Sequence, residues 1–328
     1  MPAPLAYTVY LLAALIMYIV GLFSRSSVMK LGKWIGNMMY IIPVFGGLCR
    51  KNIRAAFPEK TEDEVKEIAR KSLQNLALTA LEFFWIRRHR DKFEDLIDLT
   101  ELHEVALQGQ AMMKEGKGTI LITPHLGNWE FGGKILALTY KYKMATVVRS
   151  SRNPYLDKLI SGTRSHSGDV EIIYSKGGAI AMKKALDSGK ALGILIDQNV
   201  KLRHGGIFVN LFGLPVPVSR APATLGRHKN RFIAVGVCFR QEDGSFRAYL
   251  RRLPKEPCEY ESDEELTQAI TTLSEEYIRM APEQYLWMYK RFQHIPEGVP
   301  EEVVRRFPDY AKKVKRSFYT RCPARNKK

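Results

Sequence analysis

The stretch "GTILITPHLGNWEFGGKILALTY", residues 118 to 140, decides the fold class. "GTILIT" is a short apolar run rich in β-branched residues, the pattern of a buried strand. Pro124 stops it, "HLGN" makes a tight turn, and "WEFGGKILALTY" continues as a helix. Asn128 is the natural N-cap, which puts Glu130 in the first helical turn. His125 stands in the turn just ahead. Inside one straight helix, residues five apart diverge by about 140°. With His125 outside the helix, its side chain and that of Glu130 can meet. A carboxylate bonded to one imidazole nitrogen fixes the tautomer and raises the basicity of the other. The helix N-terminus adds N–H groups, those of Gly127 and Asn128 being nearest, that suit an oxyanion or a phosphate. A structural histidine beside a helix cap is the competing reading.

The strand-to-helix alternation repeats along the chain. Strands are predicted at 118–123, 144–149, 170–174, 191–197, 232–239 and 246–251, and helices at 128–142, 154–166, 178–189, 218–228 and 263–281. This pattern predicts an α/β fold, a mostly central β-sheet flanked by helices. The turn signal in "QEDGS", 241–245, pairs the last two strands as a hairpin. Residues 61–90 read as a helix capped by Thr61, with an apolar stripe that suits core packing or an acyl-chain pocket.

The chain has 328 residues and a net charge of +17, which calls for an acidic partner: nucleic acid, an anionic membrane, a phosphorylated substrate or an acidic carrier protein. The four cysteines form no C-x-x-C pair, so neither a zinc site nor a disulfide framework is indicated. No charged residue occurs from Met1 to Ser24, and "LAYTVYLLAALIMYIVGLF", 5–23, is long enough to cross a bilayer. A buried or interfacial helix is the alternative; a cleaved signal peptide lacks its basic n-region. Basic residues follow the run, which places the body on the cytoplasmic side. The expected organisation is a transmembrane anchor at 1–24, a helical membrane-adjacent region at 25–104, the α/β unit at 105–296 and a basic tail at 297–328, mobile and surface-associated from Lys312 onward. "MMYIIPVFGGLC", 38–49, is expected to lie against the membrane.

Two further groups carry chemistry. Arg149, Arg152, Lys158 and Arg164 fall within one strand–helix unit and suit a phosphate clamp, or else a solvated helix face. Asp197 ends a strand, where open α/β sheets place their sites; a turn cap is the alternative.

"HLGNWE" resembles the H-x-x-x-x-D/E motif of glycerolipid acyltransferases, in the form found in the lipid A late acyltransferases of lipopolysaccharide assembly. The resemblance continues in order through "VVRSSRNPYLDKLISGTRSHSG" (147–168), "GILIDQNV" (193–200), "IFVNLFGLPVPVSRAPATLGRHKN" (207–230) and "PEQYLWMYKRF" (282–292). It implies an O-acyltransferase with a glycerolipid-acyltransferase-like fold at the bacterial inner membrane. His125 would be the general base, Glu130 its orienting partner, Arg164 the arginine completing the site and Asp197 the acid of the Asp-Gln strand end. Gln198 joins Arg149, Arg152, Lys158, Gly127 and Asn128 as substrate-binding candidates. The donor would be acyl carrier protein or acyl-coenzyme A, the acceptor a phosphorylated lipid. A preformed thioester is already activated, so the reaction needs no cofactor and no metal.

Three rivals stand beside this reading: an acyltransferase for lysophospholipid, ornithine lipid or another glycolipid; a membrane thioesterase; and a basic protein gripping nucleic acid. No helix-turn-helix, zinc finger or RNA-binding aromatic signature supports the last.

Overall fold

The computed structural model describes residues 3–89, 92, 94–151, 153–165, 170–175 and 177–320. Seven strands form the main sheet: β1 (Ile97–Asp98), β2 (Thr119–Thr123), β3 (Met144–Val148), β4 (Val170–Tyr174), β5 (Ala191–Leu195), β8 (Ile233–Arg240) and β9 (Phe246–Arg252). Two more, β6 (Gly206–Leu211) and β7 (Leu214–Ser219), make a separate antiparallel hairpin. The sheet order is β1-β9-β8-β2-β5-β3-β4. Every pairing is parallel except β8 with β9, which form the hairpin expected around 241–245.

β2 lies inside the sheet and is buried on both faces, which explains its uninterrupted apolar run. Ile120 and Ile122 enter one apolar cluster with Leu192 and Ile194; Leu121 enters a second with Phe131, Ile135 and Ala191. The alternation is the period-two geometry of a strand.

Helices cover the sheet. They are α1 (Ala3–Val20), α2 (Arg25–Ile41), α3 (Pro43–Ala56), α4 (Glu62–Trp85), α5 (His103–Lys114), α6 (Trp129–Leu138), α7 (Pro154–Ser165), α8 (Ala179–Asp187), α9 (Ala221–Arg227) and α10 (Asp263–Met280). Thr61 caps α4 as expected, and Glu64 returns the bond in a capping box. Val65, Ile68, Ala69 and Leu73 of α4 share one core cluster with the sheet, and Leu81 and Trp85 share the other. The helical region and the sheet are therefore packed as one body.

α1 is apolar and 18 residues long, sufficient to cross a membrane. One side of it is docked. Ala6, Met17 and Val20 are buried, and the Asn153 Nδ2 donates to the Ala6 carbonyl at 3.0 Å. Tyr7 and Tyr10 meet Tyr155 of α7 at ring distances of 5.4 and 6.1 Å. Leu11, Leu12, Leu15 and Ile19 stay exposed.

The segment 38–49 is not one element. It is the end of α2 and the start of α3, broken at Ile42–Pro43 because proline cannot continue the helix. The expected helix at 218–228 shortens to α9, since its first residues complete β7. The basic tail, expected to be mobile from Lys312, is packed through residue 320. β10 (His294–Ile295) pairs with β11 (Lys312–Lys313), between them lies α11 (Glu301–Val304), and α12 (Arg316–Tyr319) follows. Phe307, Val314 and Phe318 are buried. The basic residues from Arg321 onward lie outside the described residues.

Candidate active site

Sheet register assembles the site. In the parallel pair β2–β5, Thr123 stands opposite Leu195. Two residues beyond each lie His125 and Asp197, on neighbouring strands about 4.8 Å apart. The carboxylate of Asp197 takes both bonds this allows: the His125 backbone N–H donates to Oδ2 at 2.8 Å, and Nδ1 lies 2.6 Å from Oδ1. Nδ1 is therefore the protonated nitrogen, and Nε2 has no partner among the described residues. The Trp129 ring meets the imidazole edge-on at 5.1 Å.

This corrects the expected pairing. Glu130 does not hold His125; the buried strand-end Asp197 does. Glu130 instead receives a bidentate pair from Arg164, Nε–H to Oε2 at 3.0 Å and Nη2–H to Oε1 at 2.5 Å. The reason is local: α6 starts at Trp129 and carries Glu130 away from His125 toward the end of α7. That helix begins against Ala6 of α1 and finishes at the site with Arg164. Lys134, one turn after Glu130, ties α6 to the Thr163 carbonyl at 3.3 Å.

Burial alone would depress the His125 pKa, but the charge and hydrogen bond of Asp197, helped by Glu130, outweigh it and hold the imidazole above its usual value. Burial would raise the Asp197 carboxyl; His125 and Arg291 reverse that, and it is held below the usual carboxylate range. Arg164 is likewise desolvated, yet Glu130 keeps its pKa raised.

The expected oxyanion donors are also corrected. Gly127 has φ +62°, and a Cβ there would fall 2.1 Å from the Cys238 carbonyl oxygen. Its N–H donates to the Gln284 carbonyl at 3.2 Å, and that of Asn128 to Cys238 at 2.8 Å. The Asn128 side chain is buried too. It caps α6 by accepting from the Phe131 N–H and donates to Glu82 at 2.8 Å. Both backbone N–H groups are committed to the turn, and the Asn128 side chain is fully buried. Among the described residues, the N–H groups that open α6 without a partner are those of Trp129 and Glu130.

An open cavity of about 1350 Å³ adjoins the site. His125, Trp129, Glu130, Arg164, Arg149 and Gln198 line it, with Met144, Val147, Met182 and Ile194 supplying apolar wall. Lys158 is exposed on α7 and is not among the lining residues. Arg152 lies outside the described residues.

Sequence reasoning gave no role to the partners behind the site. Arg291 is buried and bonds to Asn199 at 2.7 Å, close enough to lower the Asp197 pKa. Ser72 and Asn75 of α4 bond the Tyr285 and Gln284 carbonyls at 2.6 and 3.0 Å, and Asn52 of α3 bonds that of Trp287 at 2.6 Å. The signal available was an arginine inside the apolar run "YLWMYKRF".

Comparison with known proteins puts a class to this arrangement, that of the O-acyltransferases. More particularly, residues 3–294 match the model of the family described as bacterial lipid A biosynthesis acyltransferase, and the chain belongs to that family. It is 28% identical to the lipid A biosynthesis lauroyltransferase of Escherichia coli, over 77% of this chain and 80% of that one. It is 24% identical to the palmitoleoyltransferase of the same organism, over 76% and 79%. A lipid A biosynthesis acyltransferase of Haemophilus influenzae is 21% identical over 80% and 82%.

Proposed function

We propose that this enzyme moves a fatty acyl group from an acyl thioester to a hydroxyl of a phosphorylated glycolipid precursor of lipid A. The observation that carries the reading is the His125 imidazole, its Nδ1–H held by Asp197 and its Nε2 unpartnered beside the cavity. Nε2 takes the proton from the acceptor hydroxyl as that oxygen attacks the thioester carbonyl. The tetrahedral intermediate collapses, the C–S bond breaks, and the imidazolium returns the proton to the departing thiolate. The N–H groups of Trp129 and Glu130 and the guanidinium of Arg164 supply positive charge for the carbonyl oxygen. Glu130 fixes Arg164 for that task.

The fold is of the glycerolipid-acyltransferase type, with the sheet and helical region as one working unit. The apolar cavity wall takes the acyl chain. The donor is acyl carrier protein or coenzyme A, both of which present a phosphorylated thioester arm to a chain of net charge +17. Arg149 and Gln198 at the cavity suit the acceptor's polar head. The exposed side of α1 lies in the bacterial inner membrane, and the basic residues after it hold the body at the cytoplasmic leaflet.

The test is an assay on membranes containing the protein, supplied with acyl carrier protein or coenzyme A loaded with different chain lengths and with a phosphorylated lipid A precursor. Mass spectrometry is expected to show one added acyl group, lost in His125→Ala. Transfer only to lysophospholipid or ornithine lipid, or no transfer by folded protein, refutes the acceptor assignment.

A further inference from the structure

The family match ends at residue 294, yet the chain beyond it is built against the active-site loop. That loop leaves β5 through Asp197 and runs to Gly205, carrying Lys201, Arg203 and His204 along the cavity lining. Its first half is held from within. The Asn199 N–H donates to the Tyr289 hydroxyl at 3.0 Å, and its side chain bonds Lys290 and Arg291. Its second half is held from outside by α12. The Arg203 Nη1–H donates to the Ser317 carbonyl at 2.5 Å. Phe318 is buried between Phe208 and His294, at ring distances of 5.8 and 4.7 Å.

The segment that delivers α12 is itself anchored at several points. The Lys312 N–H donates to Gln293 at 3.0 Å and that of Val314 to Ile295 at 2.9 Å. The Tyr319 hydroxyl accepts from the Glu297 N–H at 3.1 Å. Arg306 donates to the Phe212 carbonyl at 2.7 Å, and Lys51 of α3 pairs with Asp309 at 2.6 Å. Lys201 is exposed, and Arg203, whose Nη1–H and Nε–H go to the Ser317 carbonyl and to His204 Nε2 at 3.3 Å, keeps Nη2 free of a carboxylate among the described residues. Two cations without a carboxylate partner among the described residues, placed at a cavity beside the proposed base, suit a phosphate group.

We propose that residues 297–320 are a strap that determines acceptor specificity: by clamping Leu202–His204 it presents Lys201 and Arg203 to a phosphate of the acceptor lipid. The proposal rests on the phosphorylated-acceptor reading above. The strap is a positioning element and touches no reacting atom.

The test compares the full chain with Phe318→Ala, with a chain ending at Lys315, and with a chain ending at Thr320 that keeps the strap. Four quantities are read: thioester hydrolysis without acceptor, KM for the phosphorylated acceptor, the thermal midpoint, and amide hydrogen exchange over 199–205. In the first two variants the acceptor KM is expected to rise about tenfold, the loss of one charge-assisted contact. Exchange over 199–205 should quicken while hydrolysis holds; the thermal midpoint falls by no more than the loss of one buried aromatic side chain brings, and shows that each variant is folded. The chain ending at Thr320 should match the full chain. An unchanged acceptor KM overturns the proposal, as does hydrolysis falling in parallel with transfer, which marks a merely structural role. A KM rise already complete in the chain ending at Thr320 also overturns it. If the unmodified chain hydrolyses thioester but acylates no phosphorylated glycolipid, the acceptor reading fails in that arm, before any variant is compared, and the strap's role falls with it.

Discussion

Asp197 grips His125 twice, once at the ring and once at the backbone N–H, across 72 residues of sequence. The two hydrogen bonds fix both the position of the residue and the rotation of its ring. A proton-accepting histidine works only when its ring is neutral, so with His125 as the proposed base the raised imidazole pKa is expected to place the acid limb of the rate profile above the ordinary histidine value. Asp197→Asn removes the charge that raises it. The acid limb of kcat/KM is then expected to move to lower pH, while the plateau rate falls. His125→Ala should lower kcat by about a hundred- to ten-thousand-fold at all pH values. Rate profiles of the three proteins check this; an acid limb unmoved in Asp197→Asn tells against the pair.

Arg164 and Glu130 form a second pair with a different task. Arg164→Lys keeps a charge but not the fork that meets both carboxylate oxygens. Activity is expected to drop by roughly tenfold or more, for a loss on the order of 1.4 kcal/mol. Because the pair acts as a unit, Glu130→Gln combined with Arg164→Lys should cost less than the sum of the singles. A double-mutant cycle on kcat/KM reads the coupling, and strict additivity would show that the two act separately.

Gly127 has no room for a side chain and sits at φ +62°. Gly127→Ala must push the turn off Cys238, which displaces His125 and the start of α6 together. A destabilisation of about 1–3 kcal/mol is expected from the backbone conformation alone, and the clash adds to it. Thermal unfolding measures the loss, with activity falling in step.

Glu82 lies fully buried under the site. It receives Arg240 at 2.5 Å and Arg25 at 3.5 Å, as well as the capping Asn128. Glu82→Ala leaves two arginines facing each other without a counter-charge, at a cost of about 3–5 kcal/mol. Glu82→Gln keeps the shape and should be milder. Chemical denaturation of both variants checks the order.

α1 has two faces with different fates. Aspartate at Leu12 or Leu15, on the exposed side, is expected to release protein from membranes while leaving the fold intact, each charge costing about 2.5–3.5 kcal/mol if the helix is immersed. Aspartate at Ala6 or Met17, against α7, should instead lower thermal stability. Membrane flotation and unfolding of the same four variants separate the two effects.

What was legible in the sequence was local. The six main strands of the sheet follow from short apolar runs between breakers, and predicted and observed ends differ by two residues at most. The cap on α4, the turn at 241–245 and the strand–turn–helix around His125 are likewise set by neighbours in the chain. The β6–β7 hairpin escaped because Pro215 and Pro217 weaken a strand pattern, and the hairpin stands apart from the main sheet. Resemblance to the acyltransferase family was readable as well, since it rests on short motifs.

Tertiary structure decided who partners whom. His125 and Glu130 are five residues apart and share a motif, yet the helix that starts between them carries Glu130 to Arg164. Asp197 reaches His125 because β2 and β5 pair in parallel with Thr123 opposite Leu195, a register no local pattern encodes. The strap from 297 to 320 looks like a charged tail because its few anchors, Phe307, Val314 and Phe318, are spaced without period. Sequence alone thus determined the elements and the chemical repertoire, for those depend on interactions between near neighbours. The pairing of charges and the walls of the cavity depend on contacts between distant segments, and only the packed sheet and helices fix those.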